Sequence, residues 1–487
     1  MILGYVLYGS FVERVFGPDD RQTPAMVKAD GVDFMVLPGW KVFMIQFLNI
    51  AGTGPIFGAI MGAMFGPVAY LWIVLGCIFA GATHDYLSGM LSLRHGGINQ
   101  PEIIGNYLGK STKQVMLFFA GFLLIMVGAV FVFSPAKILG DMWEPAVVSE
   151  SLGRYTFWIV IIFVYYLIAT LMPIDKIIGK IYPLFAFSLL FMAGALLVAL
   201  LVKWPGIPEL WDGVPGEALT ADSVFPCLFI TIACGAISGF HATQSPLMAR
   251  CMKSERMGRP IFYGAMITEG IVALIWATVA MFFFYDQPQA GYLLTEGGSL
   301  TGTDGTVSPV LDAPSIVNLI SRDWLGAFGS ILALLGVVAA PITSGDTALR
   351  SARLIIADFI HLEQRSIRKR LYICIPLFAA VMALLIWQMS DASGFKKIWS
   401  WFGWSNQTLS VFMLWALTVY LVRQRKAFVI TLVPAIFMTV VCTTYLFTQQ
   451  MFRLDGQWVW LTAGLALVVA TAWFFLWYRK YQQLSIK

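Results

Sequence analysis

Residues 47–58 read FLNIAGTGPIFG and interrupt an otherwise apolar run over residues 42–65. In a helix interior, glycine costs about 1 kcal/mol and proline about 3 kcal/mol, so this cluster predicts a helix that is unwound at its centre. Inside a membrane, an unwound backbone is stable only where it is buried in protein or lines a cavity. The stretch therefore predicts a broken transmembrane helix that borders a binding cavity.

The composition is typical of a protein that crosses a lipid bilayer many times. Of the 487 residues, 59% are hydrophobic and 12% are charged, whereas soluble domains carry about 25% charged residues. The basic residues are distributed along the whole chain, so the net charge of +5 does not indicate a nucleic-acid partner. The six cysteines have no paired spacing and there are four histidines, so the sequence predicts no disulfide framework, no metal site and no organic cofactor.

Twelve apolar stretches are long enough to cross a membrane, which requires about 20 residues. A short N-terminal helix is predicted before them, over residues 1–17. We number the stretches as spans 1 to 12. They cover residues 42–65, 69–91, 115–134, 155–172, 182–202, 225–245, 261–285, 325–347, 371–389, 398–422, 427–447 and 457–478.

The positions of lysine and arginine predict how the spans are oriented. Most of the 32 basic residues fall in one set of alternate loops, which also contains the C-terminal tail. Positively charged loops stay in the cytoplasm, so this set is predicted to be cytoplasmic. Span 1 then begins at the inner side of the membrane, and span 6 begins at the outer side.

A second interruption of the same kind lies five spans after the first. Residues 225–246 read FPCLFITIACGAISGFHATQSP and contain span 6, which runs opposite to span 1. Paired broken helices in two halves of a chain indicate an inverted-repeat transporter with its binding site near the membrane midplane. The alternative explanation of the glycines is close packing between helices.

The predicted fold is therefore all-α. A first five-helix repeat covers residues 42–202, a second covers residues 225–422, and two additional helices with a basic tail occupy residues 427–487. Span 10 adds a further polar stretch, WFGWSNQTLS, over residues 401–410. We interpret this stretch as a third interruption that lines the pathway, although its tryptophans are also typical of an interfacial belt.

Backbone and side-chain groups at the breaks are the predicted substrate contacts. The N-terminus of a half-helix offers N–H groups to an anion, and exposed carbonyl groups attract a cation. No lysine or arginine lies within the predicted spans, so a carboxylate substrate would depend on helix N-termini and neutral donors. The candidate residues are Asn49, Gly52, Thr53, Gly54, Ser238, Gly239, His241, Gln244, Asn406 and Gln407.

Three acidic residues fall within the predicted spans, namely Asp85, Glu269 and Asp346. Charged groups in a membrane are costly, so each is a candidate for ion or proton coupling. Glu269 is the deepest, about 12 Å into span 7 at 1.5 Å per residue, a depth that suits a proton-carrying carboxyl group. Asp85, which follows His84, and Asp346 could instead reach the inner interface or pair with the arginines after span 8.

Two hydroxyl groups near the end of span 8 offer a different coupling site. Thr343 and Ser344 lie in PITSGDTALRSAR, and with carbonyl groups of the first break they could enclose Na⁺. The alternative is ordinary hydrogen bonding of serine and threonine to their own helix. The coupling ion is thus H⁺ if Glu269 carries it, or a bound Na⁺ if these hydroxyl groups do.

Seven long motifs follow one another along the chain: RQTPAMVKADGVDF, AGTGPIFG, FAGATHDY, SGFHATQSP, FYGAMITEG, PITSGDTALRSARLIIAD and WFGWSNQTLS. Together they resemble the carbon starvation protein A (CstA) family of bacterial inner-membrane transporters. Family members resemble the amino acid–polyamine–organocation transporters, which have the LeuT-type fold of two inverted five-helix repeats. The resemblance implies import of peptides, with pyruvate as the alternative, coupled to a cation gradient.

Three further functions compete with this interpretation. A channel can use the same broken helices, and a nutrient sensor could bind a ligand and signal through the basic loop over residues 348–370. An enzyme is disfavoured because no nucleophile and base occur at helical spacing. The sequence also lacks a glycine-rich phosphate loop, which argues against ATP-driven transport by this chain.

Overall fold

The computed structural model describes residues 1–30, 33–142, 153–171, 174–204, 206–207, 209–211, 223–285, 292–294, 300–302, 307–308, 313–362, 366–390 and 394–485. Within these residues, eight helices are long and apolar enough to cross a membrane, or nine if a bent pair counts as one span. The remaining predicted spans also form helices, but these are shorter, interrupted or more polar. The chain is therefore a multi-span helical membrane protein.

The helices of the first half follow the predicted order of spans. A π-helical segment, Gly4–Tyr8, precedes the first α-helix. The helices are α1 (Gly9–Phe16), α2 (Pro24–Val27), α3 (Gly39–Ile50), α4 (Gly54–Phe65), α5 (Val68–Arg94), α6 (Gln100–Leu108), α7 (Lys110–Met142), α8 (Arg154–Leu171) and α9 (Ile174–Lys203).

The second half contains the remaining helices and one small antiparallel sheet. The sheet has strand order β1 (Tyr292–Leu294), β2 (Leu300–Gly302) and β3 (Val307–Ser308), and it lies in the long loop before α13. The helices are α10 (Val224–Thr231), α11 (Gly239–Ala249), α12 (Glu255–Phe282), α13 (Ala313–Ala333), α14 (Ala339–Phe359), α15 (Ile367–Ser390), α16 (Gly394–Arg423), α17 (Val429–Met451) and α18 (Gln457–Ser485).

Spans 1 and 6 are both broken where the sequence predicts. In span 1, α3 and α4 meet at an angle of 52°. In span 6, α10 ends at Thr231 and α11 begins at Gly239, after Ser238 in an extended conformation with φ −146° and ψ 124°. Both breaks are buried, so protein rather than lipid surrounds the unwound backbone.

The two breaks pack directly against each other through glycine. A Cβ atom added at Gly54 would overlap the Cβ atom of Cys234, and one added at Gly58 would lie 3.0 Å from the carbonyl oxygen of Thr231. A Cβ atom at Gly239 would overlap the backbone oxygen of Asn406 in α16. The glycines therefore account for both the broken helices and the close packing, since they unwind the helices and allow the unwound segments to touch.

The polar stretch of span 10 lies within one continuous helix. Helix α16 continues through residues 401–410 without a break. Asparagine and glutamine are tolerated there because their side chains hydrogen-bond to span 6 rather than to the backbone of α16. The polar stretch thus indicates a helix that packs against a break.

The helix that contains the end of span 8 is longer than the predicted span. Helix α14 continues to Phe359, and Arg350 and Arg353 within it are only 1% and 2% exposed. The guanidinium of Arg350 donates to the carbonyl oxygen of Ala169 at 2.7 Å, near the end of α8. Arginine is stabilised beside the C-terminal carbonyl groups of a helix. Because that helix is a different one, a hydropathy profile of span 8 cannot show that the positive charge is buried.

A group of charged contacts, which we call the clasp, closes one face of the helix bundle. The fully buried carboxylate of Glu255 accepts from Arg94 Nε at 3.1 Å and Nη2 at 3.0 Å, and from the backbone N–H of Asp19 at 3.0 Å. Arg94 also donates to the carbonyl oxygen of Gly17 at 2.6 Å and lies 3.9 Å from the ring centre of Phe16. The clasp joins the end of α5, the start of α12 and the segment after α1.

The same segment extends toward α3 and covers the loop between α11 and α12. Thr23 Oγ1 donates to the carbonyl oxygen of Met252 at 2.6 Å. The backbone N–H of Leu37 donates to the carbonyl oxygen of Cys251 at 3.1 Å. The Cys251 side chain is buried beneath it, and this burial raises the pKa of the thiol to about 12. Cys251 is therefore a native reporter of whether the segment is in place.

The glycine contact between the breaks is tested by Gly54→Ala. The added methyl group overlaps Cys234, so overpacking should destabilise the protein by about 1–3 kcal/mol. We expect a lower midpoint of thermal unfolding for the purified protein in detergent. Gly194→Ala is the matched control, because nothing lies within 4 Å of its added Cβ atom. Equal midpoints for the two variants would contradict the close packing of the breaks.

Opening of the clasp is tested by Glu255→Gln. This change leaves Arg94 without its carboxylate partner, at a cost of about 1–3 kcal/mol, which corresponds to about 5–150-fold more frequent opening. We expect alkylation of Cys251 by a maleimide, followed by peptide mass spectrometry, to accelerate by that factor. Asp20→Asn is the control, since Asp20 pairs with Arg256 at the surface at 2.7 Å. Unchanged labelling in Glu255→Gln would show that the clasp does not cover Cys251.

Candidate functional site

One buried carboxylate contacts two histidines, one of which the second break brings to it. Asp85 of α5 is fully buried, and its Oδ1 accepts from Nδ1 of His84 at 2.8 Å. Its Oδ2 accepts from Nδ1 of His241, in the first turn of α11, also at 2.8 Å. The expectation that Asp85 reaches the interface or pairs with an arginine was wrong, because the break of span 6 brings His241 against α5.

Glu269 lies on the other side of His241. Its Oε2 is 3.5 Å from Nε2 of His241, and both side chains are fully buried. The Sγ atom of Cys234 is within 4.8 Å of both of these groups. Neither carboxylate oxygen of Glu269 has a hydrogen-bond partner among the residues that the structure describes. We call Asp85, Cys234, His241 and Glu269 the buried cluster.

The hydrogen bond to Asp85 determines which nitrogen of His241 is free. A carboxylate only accepts, so Nδ1 carries the proton that is shared with Asp85. In the neutral ring, Nε2 then presents its lone pair toward Glu269 and Cys234. The cluster is thus a carboxylate, an imidazole acceptor and a thiol that converge inside the bundle.

Cys234 was not among the residues predicted from the sequence. The cysteines were excluded because none has a paired spacing, and that test detects only ligands that are close in sequence. The available signal was its position within the interrupted stretch ACGAISG, directly before Gly235. In the structure, Sγ of Cys234 lies 3.6 Å from Ser238 Oγ and 3.7 Å from Asn406 Nδ2.

Asn406 and Gln407 of α16 hold the two half-helices of span 6 in place. Oδ1 of Asn406 accepts from the backbone N–H of Phe240 at 2.7 Å and from Ser238 Oγ at 3.0 Å, so it caps the N-terminus of α11. Nε2 of Gln407 donates to the carbonyl oxygen of Phe229, near the end of α10, at 3.0 Å. A substrate anion at this N-terminus would have to displace or join the Asn406 cap.

The first break presents polar side chains that have no protein partner. Asn49 and Thr53 are fully buried, as is Gln46 one turn earlier in α3. Among the described residues, no hydrogen-bond partner exists for the side-chain atoms of these three residues or for Oε1 of Gln244 in α11. Buried polar groups are normally satisfied, so these atoms are suited to bind a polar solute.

Helix α14 contacts the first break through one of its two candidate hydroxyl groups. Ser344 Oγ donates to the carbonyl oxygen of Leu48 at 2.8 Å, and it would lie 3.0 Å from a Cβ atom added at Gly52. Thr343 Oγ1 instead lies within 3.0 Å of the Ala339 and Ala340 carbonyl oxygens of its own helix. Ser344 is therefore adjacent to the break, and Thr343 follows ordinary helix bonding.

Asp346 belongs to a separate polar group. Its Oδ2 accepts from the hydroxyl of Tyr182 in α9 at 2.8 Å, and Arg350 follows one helical turn later. Tyr182 OH also lies 3.0 Å from the carbonyl oxygen of Thr343. The sequence did not indicate Tyr182, which lies at the predicted start of span 5 and reaches α14 only through tertiary packing.

Solved structures with the same fold are membrane transporters. The manganese transporter of Eremococcus coleocola superposes with a TM-score of 0.58 and 12% identity, covering 93% of this chain and 99% of that chain. A Na⁺-coupled sialic acid symporter gives a TM-score of 0.55 and 13% identity, covering 96% and 95%. At these identities the likeness shows the fold alone, and it confirms the predicted LeuT-type fold with extra flanking helices.

Relatives by sequence are bacterial membrane proteins. A protein of Campylobacter jejuni named "Peptide transporter CstA" is 26% identical over 547 aligned positions, which cover 90% of this chain and 77% of that protein. The "Pyruvate/proton symporter BtsT" of Escherichia coli is 23% identical over 582 positions, covering 94% and 81%. An "Uncharacterized membrane protein" of Haemophilus influenzae is 45% identical over 335 positions, covering 60% and 90%.

The family described as "Carbon starvation protein CstA" matches this chain over residues 1–149, 138–291 and 309–445. These three segments include both breaks, the buried cluster and the capping residues of α16. Six of the motifs that resembled this family in the sequence contribute residues to the breaks or to the helices around them. The chain belongs to the carbon starvation protein CstA family.

Proposed function

We propose that this protein is a secondary active transporter that imports a small carboxylate-bearing solute across the bacterial inner membrane, coupled to a cation gradient. The packing of two broken helices against each other carries the proposal, because each break lies beside buried polar groups without partners. Alternating access around such a site is typical of inverted-repeat transporters. In the proposed orientation, the clasp and the C-terminal tail face the cytoplasm.

Short peptides are the first candidate substrate. Relatives in Campylobacter jejuni and Bacillus subtilis that are named peptide transporters each match 90% of this chain. A peptide needs partners for an amino group as well as for a carboxylate. The side chains of Gln46, Asn49 and Gln244 provide both donors and acceptors in this region.

Pyruvate is the second candidate, and the tight packing of the breaks favours it. Asn49, Thr53 and Asn406 are fully buried, and no methyl group fits between Gly54 and Cys234. A three-carbon anion would require a smaller separation of the breaks than a peptide. The name of the Escherichia coli relative, a pyruvate/proton symporter, supports the same chemical class.

The buried cluster is the proposed site of the coupling cation, and we propose H⁺. Asp85 and Glu269 together bury two carboxyl groups beside His241, and negative charge in a membrane protein is stable only when it is compensated. A proton taken up here neutralises one of them, which links substrate movement to the gradient. Na⁺ beside Ser344 at the first break is the competing assignment, supported by its contact with Leu48.

Uptake into proteoliposomes tests the proposed function. Labelled dipeptides, tripeptides and pyruvate are offered separately to the purified protein under an imposed pH gradient and then under an imposed Na⁺ gradient. We expect saturable accumulation of a peptide or pyruvate that is driven by the pH gradient. Accumulation with the Na⁺ gradient alone would move the coupling site to Ser344. Equilibration without accumulation would instead indicate a channel, and ligand binding without uptake a sensor.

The coupling assignment is tested by Glu269→Gln, which keeps the side-chain size but removes its charge. We expect the pH-driven accumulation ratio to fall about 5–150-fold, the range typical of lost coupling between two linked binding events. Exchange of labelled for unlabelled substrate without a gradient should continue. Glu102→Gln is the control, since Glu102 pairs with Lys113 near the surface. Undiminished accumulation by Glu269→Gln would exclude the buried cluster from coupling.

A further inference from the structure

We propose that the buried cluster also binds a divalent transition-metal ion of the zinc class. The ligands are Sγ of Cys234, Nε2 of His241 and the carboxylate of Glu269. These side chains come from the second break, from α11 and from α12, so only the folded chain assembles them. The inference rests on geometry and does not depend on the proposed transport function.

The spacing of the three groups is close to that of a metal site. One ligand atom from each residue lies within 4.8 Å of the other two, and all three residues are buried. Zinc binds sulfur at about 2.3 Å and nitrogen or oxygen at about 2.0 Å, which places tetrahedral ligands about 3–4 Å apart. The His241–Glu269 pair already has this spacing, since Nε2 and Oε2 lie 3.5 Å apart.

Asp85 supports this site from behind His241. Histidines that bind metal ions usually donate their other ring N–H to a carboxylate, which fixes the ring and the tautomer. Nδ1 of His241 makes this bond to Asp85 at 2.8 Å, and the second oxygen of Asp85 is held by His84 at 2.8 Å. The nitrogen that faces Cys234 and Glu269 is therefore the one that can coordinate.

The unpartnered atoms of the cluster point to a bound cation as well. Nε2 of His241 and both carboxylate oxygens of Glu269 are buried and have no hydrogen-bond partner among the described residues. Buried polar atoms without a partner are rare in native proteins. A cation that contacts all three residues would satisfy these atoms together, whereas a proton on one oxygen of Glu269 satisfies only part of them.

The ligand types select the class of metal. A thiolate and an imidazole favour zinc and similar ions over Mg²⁺ or Ca²⁺, which prefer oxygen ligands. Metal binding releases the proton of a ligating thiol, and Nδ2 of Asn406, 3.7 Å from Sγ of Cys234, can then donate to the thiolate. Three protein ligands leave a fourth position, as in sites where water or a substrate group completes the coordination.

Metal binding would exclude the coupling cation, because both use His241 and Glu269. Micromolar zinc is then expected to inhibit transport by the intact protein. This outcome depends on the proposed function, so it is only a secondary readout. The primary test is binding to the purified protein in detergent, which needs neither substrate nor gradient.

Cobalt is the probe, since Co²⁺ occupies zinc sites and absorbs visible light. We expect one Co²⁺ per chain, with d–d bands of tetrahedral intensity and a charge-transfer band that arises only from a cobalt–thiolate bond. Zinc should displace the cobalt and abolish both signals. Cys234→Ser should lose the charge-transfer band, and Asp85→Asn should bind Co²⁺ about 10–100-fold more weakly, as expected when the group behind a ligating histidine is lost.

Cys442→Ser is the matched control, because Cys442 is equally buried but lies on α17, outside the cluster. Thermal unfolding of each variant without metal verifies that it is folded, and Glu269→Gln gives a second ligand variant if Cys234→Ser is unstable. The proposal fails if folded wild-type protein gives no charge-transfer band at saturating Co²⁺, or if the band persists in Cys234→Ser. Either result would leave the proposed transport function standing. Failed uptake, in turn, would leave the proposed metal site standing.

Discussion

The contact between the two unwound helix segments is the constraint on which the rest of the structure depends. A backbone that leaves the helix inside a membrane must find partners in the protein, because lipid offers none. Glycine at position 54 allows the first break to touch Cys234 in the second. The neighbouring helices then satisfy the exposed groups, with Ser344 donating to Leu48 and Asn406 accepting from Phe240. The breaks, α14 and α16 therefore form one interdependent unit.

The same arrangement gathers titratable side chains in the buried interior of the bundle, where charge costs the most free energy. His241 can reach Asp85 only because α11 begins at the break, and its other nitrogen then faces Glu269 and Cys234. Asp85 and Glu269 thus place two buried carboxyl groups on either side of His241, and buried charge of one sign is stable only where it is compensated. The clasp fastens α5 and α12 to the segment after α1 through the buried carboxylate of Glu255.

Hydropathy and helix-breaking residues were sufficient for the architecture but not for every boundary. Both breaks were predicted, because glycine and proline act locally on a helix. Helix α14 extends beyond the predicted span 8, and its buried Arg350 donates to the carbonyl oxygen of Ala169 in another helix. Asn406 and Gln407 of α16 likewise have their partners in span 6. Partners of this kind cannot be seen in a local pattern.

The sequence by itself determined the membrane class, the order of the spans and the two paired breaks, because these depend on the composition and periodicity of neighbouring residues. It also identified Asp85, His241 and Glu269 as unusual, because polar residues in apolar stretches are visible without a structure. Only the tertiary structure decided that these residues meet, that Asp85 binds histidine rather than arginine, and that Cys234 joins them. Such contacts join positions far apart in the chain, and their distances follow from how the helices pack rather than from any local pattern.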